Sequence, residues 1–238
     1  SLPLVALAHN DVKIHIEFNS FNKCYIESPT HYITIKENFC LFQENEIIKQ
    51  DINGNVAIGI NAFGASVNDG DFNVAIGCGA LGNADTSGDS NIAIGKNAAD
   101  AVTSGGCNVA IGENALGAAT TSIYNVAIGP GAMSDGVTTS TGTSNVAVGR
   151  DALMNLTDGY NNVAIGYEAG AKLTTGDRNI AIGLGAMCGV VTGDNNIALG
   201  MNAADALTSG NCNIALGYSA LGASTTGSSN IAIGKTAM

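Results

Sequence analysis

Eleven asparagines recur at a nearly constant interval: Asn55, Asn73, Asn91, Asn108, Asn125, Asn145, Asn162, Asn179, Asn196, Asn213 and Asn230. A carboxamide carries two donors and an acceptor oxygen. At a fixed period it can bond one unit to the next along a stack, and to the turn backbone. The same residues also read as plain turn-formers that tolerate unusual backbone angles, and the two readings are compatible. Asp69, Asp71, Asp89, Asp177 and Asp194 fall in the turns between units. A row of carboxylates is the oxygen-rich chemistry of Ca²⁺, but the spacing matches no calcium-loop pattern, so solvated turn residues are expected. His9, His15 and His31 lie before the first repeat with no ligand-like spacing. Neither a metal nor a cofactor is therefore expected. No Ser–His–Asp set can be assembled, because the repeats contain no His. The many Gly belong to the repeat and make no phosphate loop with a following Lys. No acidic pair stands out for glycosidic cleavage. The expectation is a protein that is not an enzyme.

The six cysteines are Cys24, Cys40, Cys78, Cys107, Cys188 and Cys212. Cys107 and Cys212 occupy equivalent sites in units six apart, which at roughly 4.8 Å per β layer puts them roughly 29 Å apart, beyond disulfide reach. A reduced chain made in a cytosol-like compartment is expected. The net charge of −11 argues against a nucleic-acid surface. With only 12% charged residues and 45% apolar ones, the chain is not a charge-rich disordered segment. With 32 Gly and no Trp, its core must be thin and built from small side chains. No run of 18 apolar residues exists, so membrane insertion is not expected. Residues 1–8 do not make a signal peptide. A chain that starts at Ser1 reads as a piece of something longer.

The elements that carry these residues fall into two regions, 1–54 and 55–238. In the second region every Asn opens the pattern Asn, Val or Ile, Ala, Ile, Gly, with spacings of 18, 18, 17, 17, 20 and then 17 throughout. Counting the Asn as position 0, positions 2 and 7 are always Ala, and position 4 is always Gly. Position 3 is apolar throughout: Ile58, Ile76, Ile94, Ile111, Ile128, Val148, Ile165, Ile182, Leu199, Leu216 and Ile233. Position 8 is often Leu or Met, as at Leu81, Leu116, Met133, Leu153, Met187 and Leu221. Thr/Ser-Gly turns close the units, and 137–142 reads as a surface insertion.

A three-residue strand with period two sends its Val and Ile one way and its Ala the other. Seventeen residues are too few for a helical repeat and suit one β coil, with a second short strand around the position-7 Ala. Stacked coils pair in parallel, and ten steps of roughly 4.8 Å give a rod of roughly 50 Å. The fixed Ala marks a close backbone approach. The Ile/Val face is wider, and period alone leaves it lining either the coil interior or a subunit interface. A regular apolar face favours a homotrimer with a shared Ile/Val core, the position-3 residues forming the repeat core, over a monomeric β-helix. Ala164→Leu and Ile165→Asp are both expected to destabilise the rod.

The region 1–54 alternates like β structure at 12–18 and 31–36, with a third strand possible at 39–42, while 44–51 reads as a short helix or linker. It is too short for a core of its own and should pack on the repeats or on other chain.

The Asn-Val-Ala-Ile-Gly pattern with its following Ala resembles the head domains of trimeric autotransporter adhesins, left-handed parallel β-rolls assembled as trimers. Similar repeats occur in phage and viral fibre-like proteins. The common adhesin coil is nearer fourteen residues, so the longer turn departs from that pattern. Leu2-Pro3-Leu4-Val5-Ala6-Leu7 followed by Asn10-Asp11-Val12-Lys13-Ile14-His15-Ile16-Glu17-Phe18 resembles a stretch within the major capsid proteins of nucleocytoplasmic large DNA viruses, which are double jelly-rolls in trimeric capsomers. Together the resemblances imply an all-β protein: a parallel β-solenoid, trimeric, on a small segment related to part of a jelly-roll. They imply a structural virion protein, a capsid-associated surface projection or spike. It would be made in the host cytoplasm, displayed on the virion surface and partnered by other capsid proteins. The alternative they leave open is an adhesin-like or tail-fibre-like shaft that binds a host-surface glycan or protein receptor.

Overall fold

The structure, a computed structural model, describes residues 23–27, 31–36, 47–50, 54–64, 69–82, 86–135 and 142–238, the first three stretches as strand backbone. Fourteen strands form one sheet in sequence order. β1 (Lys23–Glu27), β2 (His31–Lys36) and β3 (Ile47–Gln50) make an antiparallel meander. β4 (Val56–Ile58) to β14 (Ile231–Ile233) are three-residue strands paired in parallel, one per coil. The chain is an all-β parallel solenoid.

Register is exact from coil to coil: Ala164 faces Ala147 below and Ala181 above, and Ile94, Ile111 and Ile128 stand in one column. Ala points inward. Ala75, Ala93, Ala110, Ala127, Ala147 and Ala164 are fully buried, as are the position-7 Ala80, Ala98 and Ala115. Between these columns lie Leu81, Leu116, Leu153, Met187 and Leu221, also fully buried. The coil is so thin that opposed β-branched side chains would not fit, so Ala takes the strand's inner face and Leu or Met fills the rest.

Among the described residues each coil carries one strand, and the second one expected around position 7 is replaced by turn. The Ala N–H at position 7 donates to the Gly carbonyl at position 4, as in Ala115 to Gly112 at 3.3 Å. This closes a four-residue β-turn whose third residue has positive φ, the place where Gly or Asn is favoured. Asn61, Asn97, Asn114 and Asn202 sit there with φ between 52° and 54°. The next residue but one is also left-handed, and here it is often Leu: Leu116 has φ 55°. A left-handed non-Gly residue costs about 1–2 kcal/mol. Burying a Leu contributes about 1.5–3 kcal/mol, so burial carries the strained position.

The position-4 Gly has the least freedom. At Gly112 φ is +135°, and a Cβ would lie 2.6 Å from the carbonyl of Gly129 in the next coil. Its N–H meanwhile donates to Ile94 in the coil below at 2.8 Å.

At the lower end β3 runs antiparallel to β4, pairing Ile48 with Ile58 and Gln50 with Val56. The first rod strand therefore has no free edge, which is how repeat proteins keep their stacks from growing end to end. A strand at Ile47–Gln50 corrects the expected helix or linker: the edge of β4 offers hydrogen-bond partners that a local pattern cannot reveal. Lys23–Glu27 is a strand that periodicity missed, and the strand at His31–Lys36 agrees with it. The expected strands at 12–18 and 39–42 lie outside the described residues, as do 137–141 of the expected insertion.

Gly112→Ala should lower stability by at least about 2 kcal/mol, combining backbone strain with overpacking. Gly234→Ala keeps the positive φ of +121° but meets nothing within 4 Å, so it should cost less. Thermal melting of the two variants separates the close approach from the strain.

Candidate functional site

The repeat asparagines lie inside the coil wall. Asn73, Asn125, Asn145 and Asn179 are fully buried. Each Oδ1 accepts from the backbone N–H of the next Asn, as in Asn91 N–H to Asn73 Oδ1 at 2.8 Å and Asn179 N–H to Asn162 Oδ1 at 2.9 Å. The contact repeats at every step from Asn55 to Asn230. From Asn55 to Asn213 each Nδ2 donates to a carbonyl of the closing turn, as from Asn162 to Gly176 at 2.8 Å. Charge, nucleophilicity and an open lining are all absent from this set. Its work is to hold register.

The position-3 column, offered from sequence as the repeat core, stands outside the coil. Ile165 is 40% exposed, and Ile182 and Leu199 are 36% exposed. The position-1 residues Val109, Val126, Val146 and Val163 beside it are half-buried. The physical reason is the thin interior, which Ala already fills. Asp at 165 would therefore meet solvent in a single rod, so the expected destabilisation by Ile165→Asp is corrected to an effect on whatever covers this face. Ala164 is fully buried, and its substitution remains a core change.

The sequence marks Tyr167 and Tyr218 at position 5 as an exposed contact but not the continuous third outward column that stands there. In the upper six coils it reads Arg150, Tyr167, Leu184, Met201, Tyr218 and Lys235. Tyr167, Leu184, Met201 and Tyr218 are 42 to 50% exposed. The Arg150 and Lys235 cations lie 5.7 Å from the Tyr167 and Tyr218 ring centroids. A hydrogen bond to Glu168, and its charge, push the Tyr167 phenol above its ordinary pKa. In the lower coils the same column carries Lys96 and Glu113, an ion pair at 3.0 Å between exposed groups, which adds little stability. Reading position 5 down the repeat would have found the apolar upper half.

A second ladder, also missed, runs along the corner two residues before each Asn. There a backbone N–H donates to the side chain of the equivalent residue one coil up. The pairs are Asp71 to Asp89 at 2.8 Å, Tyr160 to Asp177 at 3.0 Å, Asp177 to Asp194 at 2.9 Å, and Asp194 to Asn211. Three of the turn aspartates, Asp89, Asp177 and Asp194, thus accept a backbone N–H through their carboxylates; Asp71 takes part only through its own N–H, and Asp69 is exposed. Among the described residues no group of three His, Cys, Asp or Glu is placed to hold a metal ion, and no helix is long and apolar enough to cross a membrane. The groove at Asp100, Glu113, Asp135 and Asp151 has a volume of about 580 Å³ and includes Arg150. Arg150 Nε donates to Asp151 at 3.2 Å.

These columns make the chain an all-β solenoid with one flat apolar side and polar corners. One curated relative, Probable capsid protein 4 of Acanthamoeba polyphaga mimivirus, is 43% identical over 60 residues. The match takes in 25% of this chain and 12% of that protein, so the chain spans about an eighth of its relative's length. No family model matches the chain. No solved structure matches it.

Asn162→Ala should cost about 2–4 kcal/mol, since it leaves the Asn179 N–H and the Gly176 carbonyl buried without partners. Asn230→Ala should cost less, because no coil above uses its Oδ1; thermal melting compares the two. Cys78, Cys107 and Cys212 are exposed thiols, whereas burial, then the charge of Asp205, raises the Cys188 pKa. At pH 8 a maleimide should therefore label Cys188 last of these four, since a raised pKa leaves less thiolate at any given pH; peptide mapping over time reads the order.

Proposed function

We propose that this protein is a structural component of a virus particle, a capsid-associated surface projection whose rod has no catalytic role. The observation that carries the reading is the outward apolar face, joined to the partial likeness to a mimivirus capsid protein. Two apolar columns over roughly 50 Å of rod make a strip of roughly 500 Å², at the upper end for the largest patch on a monomer. A flat, periodic strip of this kind is self-complementary in shape and favours cyclic association. We place the strips of three copies together in a homotrimer, with the position-3 column as its shared core. The Asn ladder and the Gly column keep that face straight enough to match its copies. Other capsid proteins are the expected neighbours at the β1–β3 end, and the virion surface is the expected location. The exposed position-5 stripe of the upper coils favours a second reading as well, in which the shaft also contacts a host surface.

Native mass spectrometry should give a species near three times 23.8 kDa. A clean monomer at micromolar concentration would sink the shared core. Ile165→Asp together with Ile182→Asp should shift the population to monomer while leaving the circular dichroism spectrum of the rod unchanged, since both side chains are at least 36% exposed in the single chain. A loss of fold instead would show that this face is interior.

A further inference from the structure

The corner ladder is interrupted in the middle of the rod, and the interruption has a shape. Where the ladder is intact, a side-chain oxygen sits directly over the backbone N–H one coil below. At the fourth coil the equivalent residue is Gly106, which has no side chain to offer. A Cβ there would meet the Asp89 backbone, its carbonyl oxygen at 3.0 Å and its nitrogen at 3.4 Å, so a side chain at 106 starts beside that N–H. The next two corner residues, Ile123 and Thr143, also accept no hydrogen bond through their side chains from the corner below. Among the described residues the N–H groups of Asp89, Gly106 and Ile123 thus have no acceptor in the chain.

The missing side chain leaves a concavity of about 240 Å³ that includes Asp89, Gly106, Ser87, Ser104, Ile123 and Tyr124. Its rim is amphipathic. Tyr124 is 60% exposed and Ile123 37% exposed, and the two serine hydroxyls are exposed beside them.

We infer that this notch binds a carboxylated sugar, a uronic or sialic acid. Its carboxylate takes the place of the absent side chain over the Asp89 N–H, and its ring lies against Tyr124. The chain itself displays the chemistry: at Asp71, Tyr160 and Asp177 the acceptor filling this position is a carboxylate oxygen. The neighbouring Asp89 carboxylate does not forbid an anion one coil above, because Asp177 and Asp194 stack at that same separation. An aromatic face, an aliphatic side chain and hydroxyls around one fixed acceptor site suit a pyranose with one charged group. None of the notch residues belongs to the position-1 or position-3 columns of the outward face.

The test follows the Asp89 amide in ¹H–¹⁵N spectra of the full chain during titration with glucuronate and with N-acetylneuraminate. A saturable shift in the millimolar range is expected with at least one of them, and glucose should give none. Gly106→Asp should supply the missing rung, raise the melting temperature and weaken binding at least tenfold. Tyr124→Ala should weaken binding several-fold with the melting temperature kept, so the site remains testable if Gly106→Asp folds poorly. No saturation with either acid at tens of millimolar, equal binding of glucose, or unchanged binding in both variants overturns the proposal. Acetate or an oligo-aspartate peptide binding as tightly as the acidic sugars overturns the sugar assignment. Native mass measured on the same samples tells failure of this site from failure of the trimer.

Discussion

Everything in this molecule depends on coils stacking in strict register at the separation of neighbouring β-strands. Parallel pairing over three residues is too short to fix register alone, since a slip of one residue would exchange inner and outer faces. The Asn side chain removes that freedom. Its oxygen can meet the next Asn N–H only when the two coils are aligned, and its amide group ties the closing turn at the same time. The position-4 Gly adds the steric half of the constraint, with each Cα seated beneath the next Gly carbonyl.

A stack this tight encloses almost no volume, and that decides which side chains go outside. Ala fits between the walls, while Val and Ile are left on the outer face although they are the larger apolar residues. The usual rule that bulky apolar side chains form the interior is inverted for one chain, and an apolar strip is the cost of a slender rod. The antiparallel β3 covers the edge of the first rod strand, so the stack does not grow by another coil at that end.

Positions that never vary build the rod, and positions that do vary change its surface. The column at position 5 changes from charged and mixed residues below to Tyr, Leu and Met above, without disturbing the backbone. The corner ladder likewise runs on Asp, Asn and Ser, and stops where Gly, Ile and Thr replace them. Neither change costs the fold much, because both lie on the solvent side of turns whose main-chain bonds persist, as at Tyr124 N–H to the Gly106 carbonyl.

The repeat period and the parallel stack were legible in the sequence, because a period of 17 with invariant Asn, Ala and Gly admits few backbones. The outward columns were visible as lists of residues but not as surfaces. Period two separates Val and Ile from Ala without saying which side is inside; the narrowness of the closed coil makes that choice. The replacement of the expected second strand by a left-handed turn also needed the structure, since a Leu at φ 55° contradicts local preference and is held there only by burial between neighbouring coils. The strand at Ile47–Gln50 and the notch above Asp89 were likewise set by partners distant in sequence, one by a free strand edge and the other by a side chain that Gly106 lacks.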